Sequence, residues 1–186
     1  MIVNLIRHGK TSGNLEKRYI GRTDEPLCGA GIAELKTIVY PGCDTVVSSP
    51  MKRCTGTAGI IYPFQNPVIY DELRECDFGD FEGRNHAELS GGPGYEKWLE
   101  SGGSLPFPNG EDVYGFRERC VRAFMKAFRD NRDSGSVSFI VHGGTIMSVL
   151  ERFAVPHRGF YDYMTENGHG YMTVFDGDIM EIIKRI

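Results

Sequence analysis

The sequence predicts an α/β fold, with a mostly parallel central sheet, helices on both faces and an antiparallel edge strand. Two observations predict it. Short apolar runs bounded by turn residues alternate with longer runs whose apolar residues recur at helical spacing. Strands that alternate with helices build parallel sheets through crossover connections. The chain also closes on two apolar runs flanking Asp176-Gly177, the preferred centre of a two-residue hairpin turn. That hairpin supplies the antiparallel edge.

The elements follow in order. Residues 2–6, Ile-Val-Asn-Leu-Ile, read as a strand that feeds a loop at Arg7-His8-Gly9. A helical pattern covers 30–40, and a second strand covers 44–48. Ser49 fits a helix N-cap and Pro50 a first helical position, so a helix is expected over 51–62. A strand at 67–70 leads into the acidic segment Asp71, Glu72, Arg74, Glu75, Asp77. In 112–131, Val113, Phe116, Cys120, Val121, Phe124 and Phe128 fall on one helical face. A strand at 137–141, a helix at 145–153 and strands at 171–175 and 178–183 complete the set.

The stretch 90–112 breaks this rhythm with Gly91-Gly92-Pro93-Gly94, Gly102-Gly103 and Pro106-Phe107-Pro108-Asn109-Gly110 around a short helix at 95–100. Long irregular insertions in compact domains are often lids or binding loops. The expectation is one domain over 1–186, with 90–112 as a cap or lid.

Composition excludes several function classes. With 21 basic and 25 acidic residues the net charge is −4, so nothing neutralises a phosphate backbone and no nucleic-acid partner is expected. No apolar run approaches the ~20 residues of a membrane span, and the first residues are too short and wrongly charged for a signal peptide. The five cysteines, Cys28, Cys43, Cys54, Cys76 and Cys120, form no CxxC pair. They read as reduced thiols of a cytoplasmic protein, with no metal site and no cofactor. Oligomeric state is not legible.

Chemistry gathers where the strands end, because open α/β sheets bind ligands beyond the carboxyl ends of their strands. One exit delivers Arg7 and His8, another Ser49 through Arg53, and a third His142-Gly143-Gly144 at the start of a helix. Two arginines, two imidazoles and free helix-start N–H groups in one crevice suit a phosphoryl group. On proximity alone, Asp71, Glu72 and Asp77 compete with Glu75 as a proton donor. Trp98 and Phe107 could line a substrate pocket, whereas Phe78 reads as local packing. His86, His157 and His169 read as surface or structural residues, and Glu111 as a solvated helix-start carboxylate.

The ordered motifs resemble the histidine phosphatase superfamily, with its phosphoglycerate-mutase-like fold. The resemblance runs through Leu5-Ile6-Arg7-His8-Gly9-Lys10-Thr11 with Asn14, Gly21-Arg22-Thr23-Asp24-Glu25-Pro26-Leu27, and Ser48-Ser49-Pro50-Met51-Lys52-Arg53. It continues through Leu73-Arg74-Glu75 to Gly83, Pro108-Asn109-Gly110-Glu111, Arg119 and Val141-His142-Gly143-Gly144. It implies that His8 is the nucleophile, that Arg7, Arg53, His142 and Asn14 hold the phosphate with Gly143, and that Glu75 is the proton donor. Gly21 and Trp98 are expected to touch the substrate.

The opening pattern is similar to alpha-ribazole phosphatase-type members of cobalamin assembly. The implied function is a metal-independent phosphomonoesterase for a small phosphorylated metabolite, with alpha-ribazole phosphate as a candidate. A phosphoglycerate mutase is the enzyme alternative. Mutases of this family tend to carry a basic insert and an Asn at the position of Gly144, whereas here 90–112 holds one basic residue, Lys97. A non-catalytic phosphate-binding module is the other alternative.

These residue types suit the reaction. A neutral imidazole can attack phosphorus if its other nitrogen keeps a proton against a fixed acceptor, for which a carbonyl of the 7–9 loop is the candidate. Arginine forks match phosphate oxygens in the transition state.

Overall fold

A computed structural model describes residues 1–186. In chain order the elements are β1 (Ile2–Arg7), α1 (Ser12–Leu15), α2 (Gly29–Leu35), β2 (Thr45–Ser48), α3 (Lys52–Ile61) and β3 (Val68–Ile69). Two short helices follow, α4 (His86–Leu89) and α5 (Pro93–Glu100), then α6 (Val113–Asp130), β4 (Ser136–Val141) and α7 (Gly143–Phe153). The chain finishes with β5 (Ala154–Val155), β6 (Gly170–Phe175) and β7 (Met180–Arg185).

The sheet order is β3-β2-β4-β1-β6-β7-β5. The first four strands in that order are mutually parallel, and β6 is antiparallel to both neighbours. The terminal hairpin therefore extends the sheet beyond β1, and the two-residue β5 takes the edge beside β7. The physical reason lies in the loop before β6. The Gly168 N–H donates to the Arg7 and His8 carbonyls (3.0 and 3.1 Å) and the Arg7 N–H to the His169 carbonyl (2.9 Å). The chain thus enters β6 at the carboxyl end of β1 and must run back along it.

Strand alternation divides the core between two faces. Leu5, Val47 and Phe139 pack with Phe124 and Ala127 of α6 and with Ile146 and Leu150 of α7. Their chain neighbours Ile6, Val46 and Ile140 pack on the other face, with Cys54 and Ala58 of α3 and with Tyr62. Each fully buried aliphatic side chain contributes about 1.5–3 kcal/mol, and a one-residue slip of any strand would exchange the two sets. A third core holds Phe81, Leu89, Tyr95 and Phe107 against Val113 and Phe116 of α6. Through it the irregular stretch around α5 is seated on the main fold.

Three local expectations are corrected. The helix expected over 30–40 ends at Leu35, because the backbone N–H and hydroxyl of Thr37 both take the Glu34 carbonyl (2.9 and 2.8 Å). The helix expected to follow a Ser49 cap begins later, at Lys52. Asp24 Oδ1 accepts from the Lys52 N–H there at 2.7 Å, so the cap comes from a distant loop. The terminal turn spans four residues, 176–179, because Asp176 Oδ1 accepts from the N–H groups of both Asp178 and Ile179 at 2.8 Å.

Candidate active site

The three strand exits lie side by side, because β2, β4 and β1 are neighbours in the sheet. Backbone pairing continues past the strand ends. The His8 N–H donates to the Val141 carbonyl (2.9 Å) and the Ser49 N–H to the Ile140 carbonyl (3.1 Å). His8, Ser49 and His142 thereby reach one level of the sheet edge. The imidazoles of His8 and His142 meet edge to face with centroids 5.3 Å apart.

The hydrogen bonding of His8 decides its tautomer. Its Nδ1 lies 2.7 Å from the Gly9 carbonyl oxygen. A carbonyl can only accept, so Nδ1 carries the proton and Nε2 keeps its lone pair. Burial, followed by the charges of Arg53 and Arg7, holds the His8 pKa well below its usual value, against the opposing Gly9 bond. His142 is depressed in the same way, by burial first and then by Arg53. Both rings are therefore neutral near pH 7. Ser49 Oγ sits 2.8 Å from His142 Nε2, and this contact uses the side chain that local sequence reads as a helix cap.

Two guanidinium groups surround the histidines. Arg53 is wholly buried. It donates Nη1 to the Thr23 carbonyl (2.8 Å) and Nη2 to the Gly21 carbonyl (2.7 Å). Arg7 donates Nη1 to the Thr165 carbonyl (2.8 Å). The Nε of each arginine is buried without a partner. A buried and a half-buried cation, each with its Nε still unbonded, form a site whose natural complement is an anion. Gly143, the first residue of α7, adds a helix N-terminus whose N-cap residue, His142, makes no side-chain cap bond.

Glu75 is the carboxylate that the fold brings here, and Asp71 and Glu72 remain exposed. Burial raises the Glu75 pKa, opposed by the Cys76 N–H and by the charges of Arg53 and Arg7. Its Oε1 accepts from the Cys76 N–H at 3.0 Å. The absence of a side chain at Gly144 leaves room for this group. A Cβ there would lie 2.8 Å from Glu75 Oε1 and 2.7 Å from the Phe116 ring.

A cavity of about 340 Å³ joins Arg7, His8 and Glu75 to an aromatic wall, while Arg53 and His142 lie wholly buried behind its lining. Arg7, His8, Asn14, Glu75 and Gly143 lie at its base, and Tyr19, Phe78, Trp98 and Phe107 line it. Phe78 therefore faces the cavity as well as packing on Tyr19 and Phe107 (5.3 and 5.0 Å between centroids). Gly21 is not among the lining residues. Its N–H donates to Glu82 Oε1 (2.8 Å) and its carbonyl accepts from Arg53, so it supports Arg53 from behind. Lys10 pairs with Glu34 (2.8 Å).

Sequence reasoning missed Asn167. Its Nδ2 donates to the His8 carbonyl (3.1 Å) and to Asn14 Oδ1 (3.2 Å), tying two expected site residues together. The only signal in the sequence was the turn dipeptide Asn167-Gly168.

A family model described as histidine phosphatase superfamily, branch 1, matches residues 3–184. The chain belongs to this superfamily. It is 27% identical over 173 residues to the adenosylcobalamin/alpha-ribazole phosphatase of Salmonella typhimurium, covering 88% of this chain and 85% of that protein. It is 31% identical over 159 residues to 2,3-bisphosphoglycerate-dependent phosphoglycerate mutase 2 of Gloeobacter violaceus, covering 78% and 72% respectively. The fold superposes on the alpha-ribazole phosphatase of Shigella flexneri with a TM-score of 0.83 at 24% identity, over 98% of this chain and 94% of that one. Phosphoglycerate mutase from Thermus thermophilus gives 0.77 at 27% identity, over 100% and 98%. As a histidine phosphatase the chain is a phosphoric monoester hydrolase whose substrate is a small phosphate ester. No helix is long and apolar enough to cross a membrane.

Proposed function

We propose that this protein hydrolyses a small phosphorylated metabolite through a phosphohistidine on His8, without a metal. The observation that carries the reading is the Nδ1–Gly9 contact of 2.7 Å, which leaves Nε2 of a neutral, buried ring as the nucleophile. Its lone pair forms the N–P bond as the P–O bond to the leaving group breaks. The protonated Glu75 carboxyl gives its proton to the departing oxygen. Glu75, now ionised, takes a proton from water, whose oxygen attacks phosphorus and breaks the N–P bond. The products are an alcohol and inorganic phosphate. Arg7, Arg53, His142, Asn14 and the N-terminus of α7 hold the equatorial oxygens, where charge grows in the transition state.

Residues 90–112 act in this reading as a cap that brings Trp98 and Phe107 over the leaving group. The aromatic wall, whose rings meet mostly edge to face, favours a leaving group that carries an aromatic ring over a short polar one. Alpha-ribazole phosphate, whose alcohol carries an aromatic base, fits that wall, and the Salmonella relative supports the choice. Phosphoglycerate mutase is the second reading, favoured by the Gloeobacter relative. The crowding at Gly144, where an Asn would collide with Glu75 and Phe116, weighs against it.

The deciding experiment compares release of phosphate from alpha-ribazole phosphate and a metabolite panel, with and without a chelator. Phosphoglycerate interconversion primed by a bisphosphoglycerate is measured alongside. Chelator-insensitive hydrolysis supports the proposal, and faster interconversion than hydrolysis would reverse it.

A further inference from the structure

The segment that carries Glu75 has no regular structure. It runs between the single helical turns Asp71–Leu73 and Gly79–Phe81, so its carbonyls have neither a ladder nor a helix to bond with. One side chain meets most of that need. Arg119 of α6 donates Nη1 to the Glu72 carbonyl (2.7 Å) and to the Arg74 carbonyl (2.9 Å). Its Nη2 reaches the Glu75 carbonyl at 3.4 Å. The Arg74 and Glu75 carbonyls belong to the two peptide planes that flank the Glu75 Cα. Holding both planes restricts φ and ψ there, and so aims the bond that carries the carboxyl.

The guanidinium is itself held. Glu111 accepts from Arg119 Nε at Oε1 and from Nη2 at Oε2, both at 2.8 Å. A two-point pair of this kind fixes orientation as well as charge. Glu111 also joins the same segment, accepting from the Asp77 N–H at 3.3 Å and donating its own N–H to the Asp77 carbonyl at 2.9 Å.

We propose that Arg119, braced by Glu111, is a positioning residue that aims the Glu75 carboxyl at the leaving-group oxygen. The inference rests on the reading of Glu75 as the proton donor. A purely structural staple would affect every substrate alike. A positioning role affects most the substrates that need a proton.

The test uses the full chain with Arg119→Met and Glu111→Gln, each alone and combined with Glu75→Gln. An alkyl phosphate and p-nitrophenyl phosphate are compared. General acid help is worth ~10²–10⁴-fold, so a misaimed acid should lower alkyl-phosphate kcat/KM, which reports the phosphorylation half-reaction alone, by about 10–100-fold, with an aryl kcat/KM loss of about threefold or less. The alkyl-phosphate KM should barely move, and Arg119→Met should add nothing in the Glu75→Gln background. Equal kcat/KM losses on both substrates, or losses that multiply with Glu75→Gln, overturn the proposal.

Should Arg119→Met show no cooperative thermal transition, Glu111→Gln decides by the same leaving-group comparison. Should Glu75→Gln alone lower kcat/KM equally on both substrates, the acid assignment fails and the clamp falls with it. A selective Glu75→Gln beside an unselective Arg119→Met sinks the clamp alone.

Discussion

At the scale of single residues, the site works by keeping protons where they are needed. His8 must be neutral and Glu75 protonated at the same pH, and burial pushes the two groups in the required directions. The low His8 pKa makes the nucleophile available well below the usual histidine range. The raised Glu75 pKa keeps the acid protonated above the usual carboxylate range. Activity on alkyl phosphates should therefore rise as His8 loses its proton and fall as Glu75 loses its own, which places the optimum between the lowered His8 pKa and the raised Glu75 pKa. A kcat/KM profile checks this. Glu75→Gln should abolish the descending limb, and a limb left in place would assign it elsewhere.

His8→Ala should remove turnover and the acid-labile phosphoenzyme together. Labelling with a ³²P substrate and an alkaline detergent quench would detect the intermediate, and acid treatment should release the label. A labelled His8→Ala protein would move the nucleophile to another residue.

Among the elements, the turn from β4 into α7 is the least tolerant of change. Gly143 and Gly144 let α7 begin directly against the site, and Gly144 faces both Glu75 and Phe116 too closely for any side chain. Gly144→Ala should cost about 1–3 kcal/mol in stability by overpacking and should displace Glu75. The expected signature is a loss on alkyl phosphates greater than that on aryl phosphates, read beside a lowered Tm. Full activity with native Tm would show that α7 shifts without consequence.

The loop carrying Gly21 is a second such element. A Cβ at Gly21 would lie 1.9 Å from the Cys76 carbonyl oxygen. Gly21→Ala therefore should separate that loop from the Glu75 segment and loosen Arg53, whose Nη2 bonds the Gly21 carbonyl. The measurable result is weaker competitive inhibition by inorganic phosphate, and unchanged inhibition would contradict this support role.

For the whole molecule, burial of two neutral histidines links stability to pH. A histidine whose folded pKa lies below its unfolded value gives stability that is complete above the unfolded pKa of about 6.5 and is lost as pH falls towards the folded one. His8 and His142 are both of this kind. Each can steepen the acid side by up to about 1.4 kcal/mol per pH unit. Tm should fall between pH 7 and pH 5, and His142→Asn should flatten that fall. An unchanged slope would mean that the proton uptake on unfolding lies at other groups.

Parts of this architecture were open to reading in the chain. Short apolar runs marked the four strands that form the parallel half of the sheet, and the helical face from Val113 to Phe128 marked α6, because local periodicity is set by which side of an element is buried. Arg7, His8, Arg53 and His142 stood out because each follows a strand, and parallel strands bring their exits to one edge.

The tertiary structure alone decided the rest, since it depended on contacts between distant segments. Asp24 caps α3 from 28 residues away, Asn167 reaches His8 across 159, and Arg119 holds Glu75 across 44. Ser49 Oγ keeps a long local bond from the Met51 N–H (3.4 Å), and the sheet adds the shorter contact to the remote imidazole of His142 (2.8 Å). Among the nearby carboxylates, packing turned Glu75 into the cavity beside His8, and packing is a property that no local spacing records.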